Sequence, residues 1–253
     1  EILIGLVGSE MCIRDSSRIA RGLEKADLVL KDARIVNVFT EEIIRGDIAI
    51  QDGIIAGIGS FHGKEERDLA GRYVCPGFID SHLHLESTLV TPAELVTVAS
   101  RHGTTTFIVD PHESANVSGL AGVDYILDQT ENVKANVYVM MPSCVPATAI
   151  DDNGCTLTAE DMAPYLHNSR ILGLGEVMDS ISVVQGDKTM HDKLELFEGR
   201  IRDGHAPFLE EGDLQAYAMA GIATDHECSF FDYAMRERRN GLTTVSYTHL
   251  RAH

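Results

Sequence analysis

Over residues 26–74 the chain alternates apolar and polar positions with period two. ADLVLKDARIVNV, DIAIQDGIIAGIG and RDLAGRYV each place their apolar residues on one side of an extended strand. Asp52-Gly53 stands between two such runs, and this dipeptide predicts a tight hairpin. The pattern predicts a small antiparallel β unit of four or five strands. After Pro76 the rhythm becomes strand, loop, helix, repeated. The predicted strands are 77–84, 104–110, 136–141, 171–177, 201–205 and 221–225. Between them lie helical stretches. TPAELVTVASRHG has Thr91 as N-cap, Pro92 at the first helical position and Gly103 past the end. TAEDMAPYLHN starts at Thr158, with Asp161 in a near-capping-box position. EGDLQAYAMAG and FFDYAMRERRNG close on Gly221 and Gly241.

Strands alternating with helices predict βα units and a parallel sheet. A (β/α)8 barrel and an open doubly wound sheet both fit that rhythm. The polar residues favour the barrel. They gather at the ends of successive strands: His82 and His84, Asp110 and His112, Glu176, His205, then Asp225, His226 and Glu227. A barrel brings its strand ends to one mouth, whereas an open sheet spreads them along an edge. About 170 residues follow Pro76. A complete barrel takes ~250 residues, roughly 30 per unit. The expectation is therefore an incomplete barrel of about six βα units, truncated on its C-terminal side. The expected boundaries are 18–75 for the β domain and 76–242 for the partial barrel.

Composition adds limits. The chain has 253 residues, 44% hydrophobic and 24% charged, which is a globular balance. With 21 Lys and Arg against 39 Asp and Glu, the net charge is -18. That acidity argues against nucleic acid or an anionic membrane as partner. No apolar run approaches the ~20 residues of a transmembrane helix. Cys12, Cys75, Cys144, Cys155 and Cys228 are widely spaced and form no CxxC pair. A disulfide framework is not expected, and a cytoplasmic setting fits better. EILIGLVGSEMCIRDSS and VSYTHLRAH resemble translated adapter DNA, so residues 1–17 and 243–253 are read as non-native tails and set aside.

The strand-end residues carry the chemistry. His82 and His84 share one face of a strand, either as two ligands of a metal site or as polar residues of a strand end. Glu176 closes the apolar run ILGLGE, where a carboxylate needs a salt bridge or a metal. His205 in DGHAP and His226 in ATDHE are open to the same two readings. Together the four histidines and one glutamate form a mixed nitrogen and oxygen set that suits zinc, iron or manganese. Five ligands exceed the need of one tetrahedral ion with an open position. They suit two ions sharing a bridging carboxylate. Ser143 and Cys144 in MMPSCVPAT have no histidine adjacent in sequence to make a dyad, and GxSxG, P-loop and GxGxxG motifs are absent.

PGFIDSHLHLES resembles the first-strand HxH motif of the amidohydrolase superfamily, and the preceding β unit resembles the small β-sandwich domain found there. PGFIDSHLHLESTLVTP, HGTTTFIVDPHESANVSG, MMPSCVPAT, LGLGEVM, DGHAP and TDHE, in that order, are similar to bacterial and archaeal adenine deaminases. The resemblance implies a metal-dependent enzyme that deaminates adenine to hypoxanthine and ammonia, with a metal-activated hydroxide attacking C6. It implies His82 and His84 as ligands of one metal, Glu176 as the bridging carboxylate, and His205 and His226 as ligands of the second. Glu176, His205 and His226 are thus also the catalytic candidates. Manganese or iron is implied as the metal, with zinc as a further option, in a homo-oligomeric parent. The superfamily's strand-eight aspartate has no counterpart here, so the chain itself is expected to be inactive. Asp110, His112, Glu113 and Glu227 are candidates to contact the substrate or support the ligands, against a reading as loop caps and rim salt bridges. The alternatives are another amidohydrolase, such as a cyclic amide hydrolase, and a catalytically dead metal-binding fragment.

Overall fold

The computed structural model describes residues 17–148 and 150–244. The expected tails lie outside the described residues apart from positions 17, 243 and 244. The chain divides into two compact units between Gly77 and Phe78.

The first unit is one five-stranded sheet. Its strands are β1 (Ala26–Asn37), β2 (Glu42–Gln51), β3 (Ile54–Gly59), β4 (Gly63–Asp68) and β5 (Tyr73–Val74). The order is β3-β2-β1-β4, with β5 also on β1. Asp52 and Gly53 join β2 to β3 with φ of 51° and 76°, the left-handed pair that a two-residue hairpin requires. The sheet is mixed where the pattern predicted an antiparallel one. β1 runs antiparallel to β2 but parallel to β4 and β5. The β2–β3 hairpin fills one flank of β1, so the chain returns to the other flank in the direction of β1. Apolar residues are buried on both faces. Ala49 packs with Ala26 and Val29, while its neighbours Ile48 and Ile50 pack with Ala33 and Ile35.

The second unit is built on β6 (Phe78–Leu83), β7 (Thr104–Val109), β8 (Asn136–Met141), β9 (Ile171–Val177) and β10 (Ile201–Gly204). They are parallel and lie in sequential order. A doubly wound sheet reverses its strand order at a switch point, and this sheet does not. The topology is that of part of a (β/α) barrel. The predicted strand 221–225 shortens to β11 (Thr224–Asp225), which pairs in parallel with β12 (Thr243–Thr244) as a separate ribbon.

Between the strands run α1 (Pro92–Ser100), α2 (His112–Ser118), α3 (Leu120–Gln129), α4 (Ala159–Met162), α5 (Ser180–Gln185), α6 (Lys188–Leu196), α7 (Glu211–Met219) and α8 (Phe231–Arg239). Thr158 and Asp161 form the reciprocal capping box at α4. Phe107, Val109, Val139, Met141, Leu174 and Val177 of the sheet are buried with Val96, Ile126 and Leu214 of the helices. Phe78 and Ile79, in a run that reads as a buried strand, are instead 63% and 64% exposed. They lie on β6, which among the described residues is an edge of the sheet.

Candidate metal centre

Parallel strands aim their C-terminal ends the same way, so the residues at those ends converge. His82 lies in β6 and His84 one residue past it, while Glu176 lies in β9. His205 and His226 directly follow β10 and β11, and His112 opens α2 beyond β7.

Glu176 is the meeting point and is 2% exposed. Its Oε1 lies 2.9 Å from His112 Nε2 and 3.4 Å from His84 Nε2. Its Oε2 lies 2.9 Å from His205 Nδ1 and 2.9 Å from His226 Nε2. Each carboxylate oxygen thus faces its own pair of imidazoles. Burial opposes ionisation of Glu176, but hydrogen bonds from His112, His205 and His226 outweigh it and hold the carboxyl well below its usual range. Burial also opposes protonation of His112 and His205. The hydrogen bonds of His112 to Cys144 and Glu176 push it up to about 11. His205 is raised by its hydrogen bond to Glu176.

The β6 histidines are oriented from behind. His84 Nδ1 lies 2.8 Å from the Asp110 carbonyl oxygen. A carbonyl only accepts, so Nδ1 carries the proton and Nε2 offers a lone pair. His82 Nδ1 lies 2.9 Å from Asp203 Oδ2, with the same consequence. The two Nε2 atoms then meet at 3.1 Å. Two lone pairs at that separation repel unless a proton or a cation lies between them. His82, His84 and Glu176 each place a ligand atom within 4.8 Å of the other two, as do Glu176, His205 and His226. The donor set is imidazole and carboxylate, which fits a divalent transition metal.

The other sequence candidates occupy different places. A cavity of about 700 Å³ is lined by His112, Glu113, Asn116, Cys144, Met178 and His205, among others. Asp110 and Glu227 are not on its wall. Asp110 Oδ2 instead accepts the Glu176 N–H at 2.7 Å. A Cβ at position 175 would stand 2.2 Å from that oxygen, so Gly175 is what lets Asp110 reach the strand. Burial and the charge of Glu176 push Asp110 up to about 8. Glu113 Oε2 accepts a hydrogen bond from Ser87 Oγ at 2.5 Å. The Glu227 N–H donates to Asp225 Oδ2 at 3.1 Å.

Two residues stand at the centre without having been singled out for it. Asp203 is 8% exposed and holds His82. Its signal was present in DGH, since positions 203 and 205 share a strand face. Cys144 shares a hydrogen bond with His112, a partner 32 positions away that sequence adjacency could not show. Burial pushes its thiol up to about 11, against the pull of that hydrogen bond, so it is no thiolate nucleophile.

Residues 73–251 match the model of the amidohydrolase family, and the chain belongs to that family. Within the family its similarity is to adenine deaminases. It is 59% identical over 224 residues to the adenine deaminase of Desulfitobacterium hafniense, covering 88% of this chain and 39% of that protein. It is 47% identical over 233 residues to the adenine deaminase of Clostridium acetobutylicum, covering 91% of this chain and 41% of that protein. The chain thus spans about 40% of the length of these relatives. Among solved structures, a 5-methylcytosine deaminase from Klebsiella pneumoniae superposes with a TM-score of 0.51 at 14% identity, covering 85% of this chain and 64% of that one. A variant atrazine chlorohydrolase from Arthrobacter aurescens, solved with zinc, gives 0.53 at 13% identity, covering 87% and 71%. These two likenesses establish the fold.

Proposed function

We propose that this chain is the metal-binding part of a deaminase that converts adenine to hypoxanthine and ammonia. The observation that carries the reading is Glu176, which shares one group of converging ligand atoms with His82 and His84 and another with His205 and His226. Similarity to adenine deaminases supports the substrate. His82 and His84 would hold one divalent ion and His205 and His226 a second, with the Glu176 carboxylate within reach of both groups. Manganese or iron is the native pair, and zinc is accommodated by the same donors. Such a pair, when bound, activates water at neutral pH and polarises the group under attack.

The chain's own residues do the rest. Asp203 and the Asp110 carbonyl keep the Nδ1 atoms of His82 and His84 protonated, so their Nε2 atoms point inward. Asp110 pins the backbone of Glu176 and so sets where the bridging carboxylate stands. His112 and Glu113 border the cavity, where a flat purine with ring nitrogens and an exocyclic amine finds a donor and an acceptor. Asp225 accepts the N–H of Glu227, which shapes the turn behind His226. Cys75, Cys144, Cys155 and Cys228 are free thiols, in keeping with a cytoplasmic enzyme of purine metabolism. No described helix is long and apolar enough to cross a membrane.

The test is made on the purified chain after removal of metal and reloading with Mn²⁺. Elemental analysis is expected to find two ions per chain, and fewer than one in Glu176→Gln. Adenine is expected to raise the melting temperature of the loaded chain, while dihydroorotate leaves it unchanged. A chain that retains no metal, or that answers to the cyclic amide and not to adenine, would overturn the reading.

A further inference from the structure

Cys144 holds neither metal nor substrate in the reading above, yet it stands beside Glu176. His112, Cys144 and Glu176 each place a ligand atom within 4.8 Å of the other two. His112 Nε2 is 2.9 Å from Glu176 Oε1. The segment carrying the thiol is tied to the strand carrying the carboxylate. Ser143 Oγ donates to the Glu176 carbonyl oxygen at 2.6 Å, and Lys193 Nζ donates to the Ser143 carbonyl oxygen at 2.7 Å. Cys144 is 3% exposed, and its relation to Glu176 is therefore set by buried contacts.

Donor chemistry separates this group from its neighbours. The other two sets that include Glu176 offer only nitrogen and oxygen, whereas this one adds sulfur. Sulfur, imidazole and carboxylate together favour thiophilic ions over manganese or magnesium. Around a tetrahedral zinc at ~2.0–2.3 Å, ligand atoms stand roughly 3.3–3.6 Å apart. The three ligand atoms lie within 4.8 Å of one another, roughly 1 Å beyond that spacing. His112 and Cys144 both line the cavity, so an ion has a route in and a fourth position open to water.

We propose that His112, Cys144 and Glu176 form a further metal site, specific for a thiophilic divalent cation of the zinc class. Binding exchanges the thiol proton for the ion: the S–H bond breaks, a sulfur–metal bond forms, and the proton passes to solvent. Glu176 is common to this site and to the two histidine groups. An ion held here would draw one carboxylate oxygen away from them. The proposal requires only that Glu176 be within reach of Cys144 and His112, and it stands apart from the adenine reading.

The test is a Co²⁺ titration of the metal-free 253-residue chain, followed by absorption. Thiolate bound to cobalt gives a near-ultraviolet charge-transfer band, while histidine and carboxylate ligands give only visible bands. The expected result is a charge-transfer band that is abolished in Cys144→Ser, with the visible bands retained. His112→Gln is expected to weaken the cobalt affinity read from that band at least tenfold. A chain with Cys12, Cys75, Cys155 and Cys228 all replaced by Ser is expected to keep the band. This fourfold variant decides the matter even where Cys144→Ser misfolds. Visible bands with no charge transfer at saturating cobalt would overturn the site and leave the histidine groups intact. A band that survives Cys144→Ser, or that vanishes with the other four cysteines, would overturn it as well. Absence of both kinds of band would instead sink the metal-centre reading along with it.

Discussion

Replacing Asp203 by Asn tests how His82 is held. Asp203 Oδ1 accepts the Gly204 N–H at 3.0 Å and also a short hydrogen bond from the Thr224 hydroxyl. A backbone N–H is only a donor, so an Asn at 203 keeps its amide oxygen on that side. The amide NH₂ then faces His82 Nδ1, where Oδ2 stood at 2.9 Å. The imidazole must accept there, and its proton moves to Nε2. Nε2 is the atom that meets His84 at 3.1 Å, so His82 is lost as a ligand on that side. Removing the hydrogen-bond partner of a ligating histidine costs about 10–100-fold in metal affinity. That range is about 1.4–2.7 kcal/mol. Asp203→Asn is expected at or above the upper end. Asp203→Ala removes the acceptor without imposing the wrong tautomer, and is expected near the lower end. Equilibrium dialysis against Mn²⁺ with elemental analysis measures the three affinities, and circular dichroism checks the folds. An Asn variant that binds as tightly as the unmodified chain, or more tightly than the Ala variant, would refute the tautomer argument.

Glu176→Gln removes the charge on which His112, His205 and His226 converge, and is expected to destabilise the metal-free chain by about 3–5 kcal/mol, read by urea denaturation at neutral pH. Gly175→Ala sets a Cβ 2.2 Å from Asp110 Oδ2; with the Glu176 N–H left unpaired, a loss of about 1–3 kcal/mol is expected in the same assay, and Asp110→Ala in that background should recover part of it. Glu237 is fully buried, and burial together with the charge of Asp225 pushes it up to about 8 from its ordinary 4.5. Between those values the folded chain holds a proton that the unfolded chain has released, so stability falls as pH rises, by at most about 1.4 kcal/mol per pH unit. Glu237→Gln is expected to flatten that decline in melts taken from pH 5 to 8; an unchanged slope would assign it to other groups.

Local features of the fold were legible because neighbouring residues determine them. The Asp52-Gly53 hairpin needs only two residues that tolerate positive φ, and the Thr158–Asp161 capping box spans one turn. The strands 136–141 and 171–177 were set by apolar runs between breakers. The helix over Leu120–Gln129 falls where a helical stretch was expected between two strands, but its start was not legible, since a polar, glycine-bearing stretch precedes it. The direction of β4 against β1 was also hidden, because strand direction depends on where the hairpin leaves room.

The sequence by itself determined which residue types stand at the ends of which strands, and so that His82, His84, Glu176 and His205 would share one end of a parallel sheet, with His226 at the end of the next short strand. Strand period and βα alternation are enough for that. Only the tertiary structure decided what each of them touches. His82 with Asp203, at a separation of 121 residues, and His112 with Cys144 depend on register between strands and on how the β7–α2 and β8–α4 loops fold back. No pattern along the chain encodes those distances. Hydrogen bonds and ion pairs are made between neighbours in space, and the order and register of the sheet choose those neighbours.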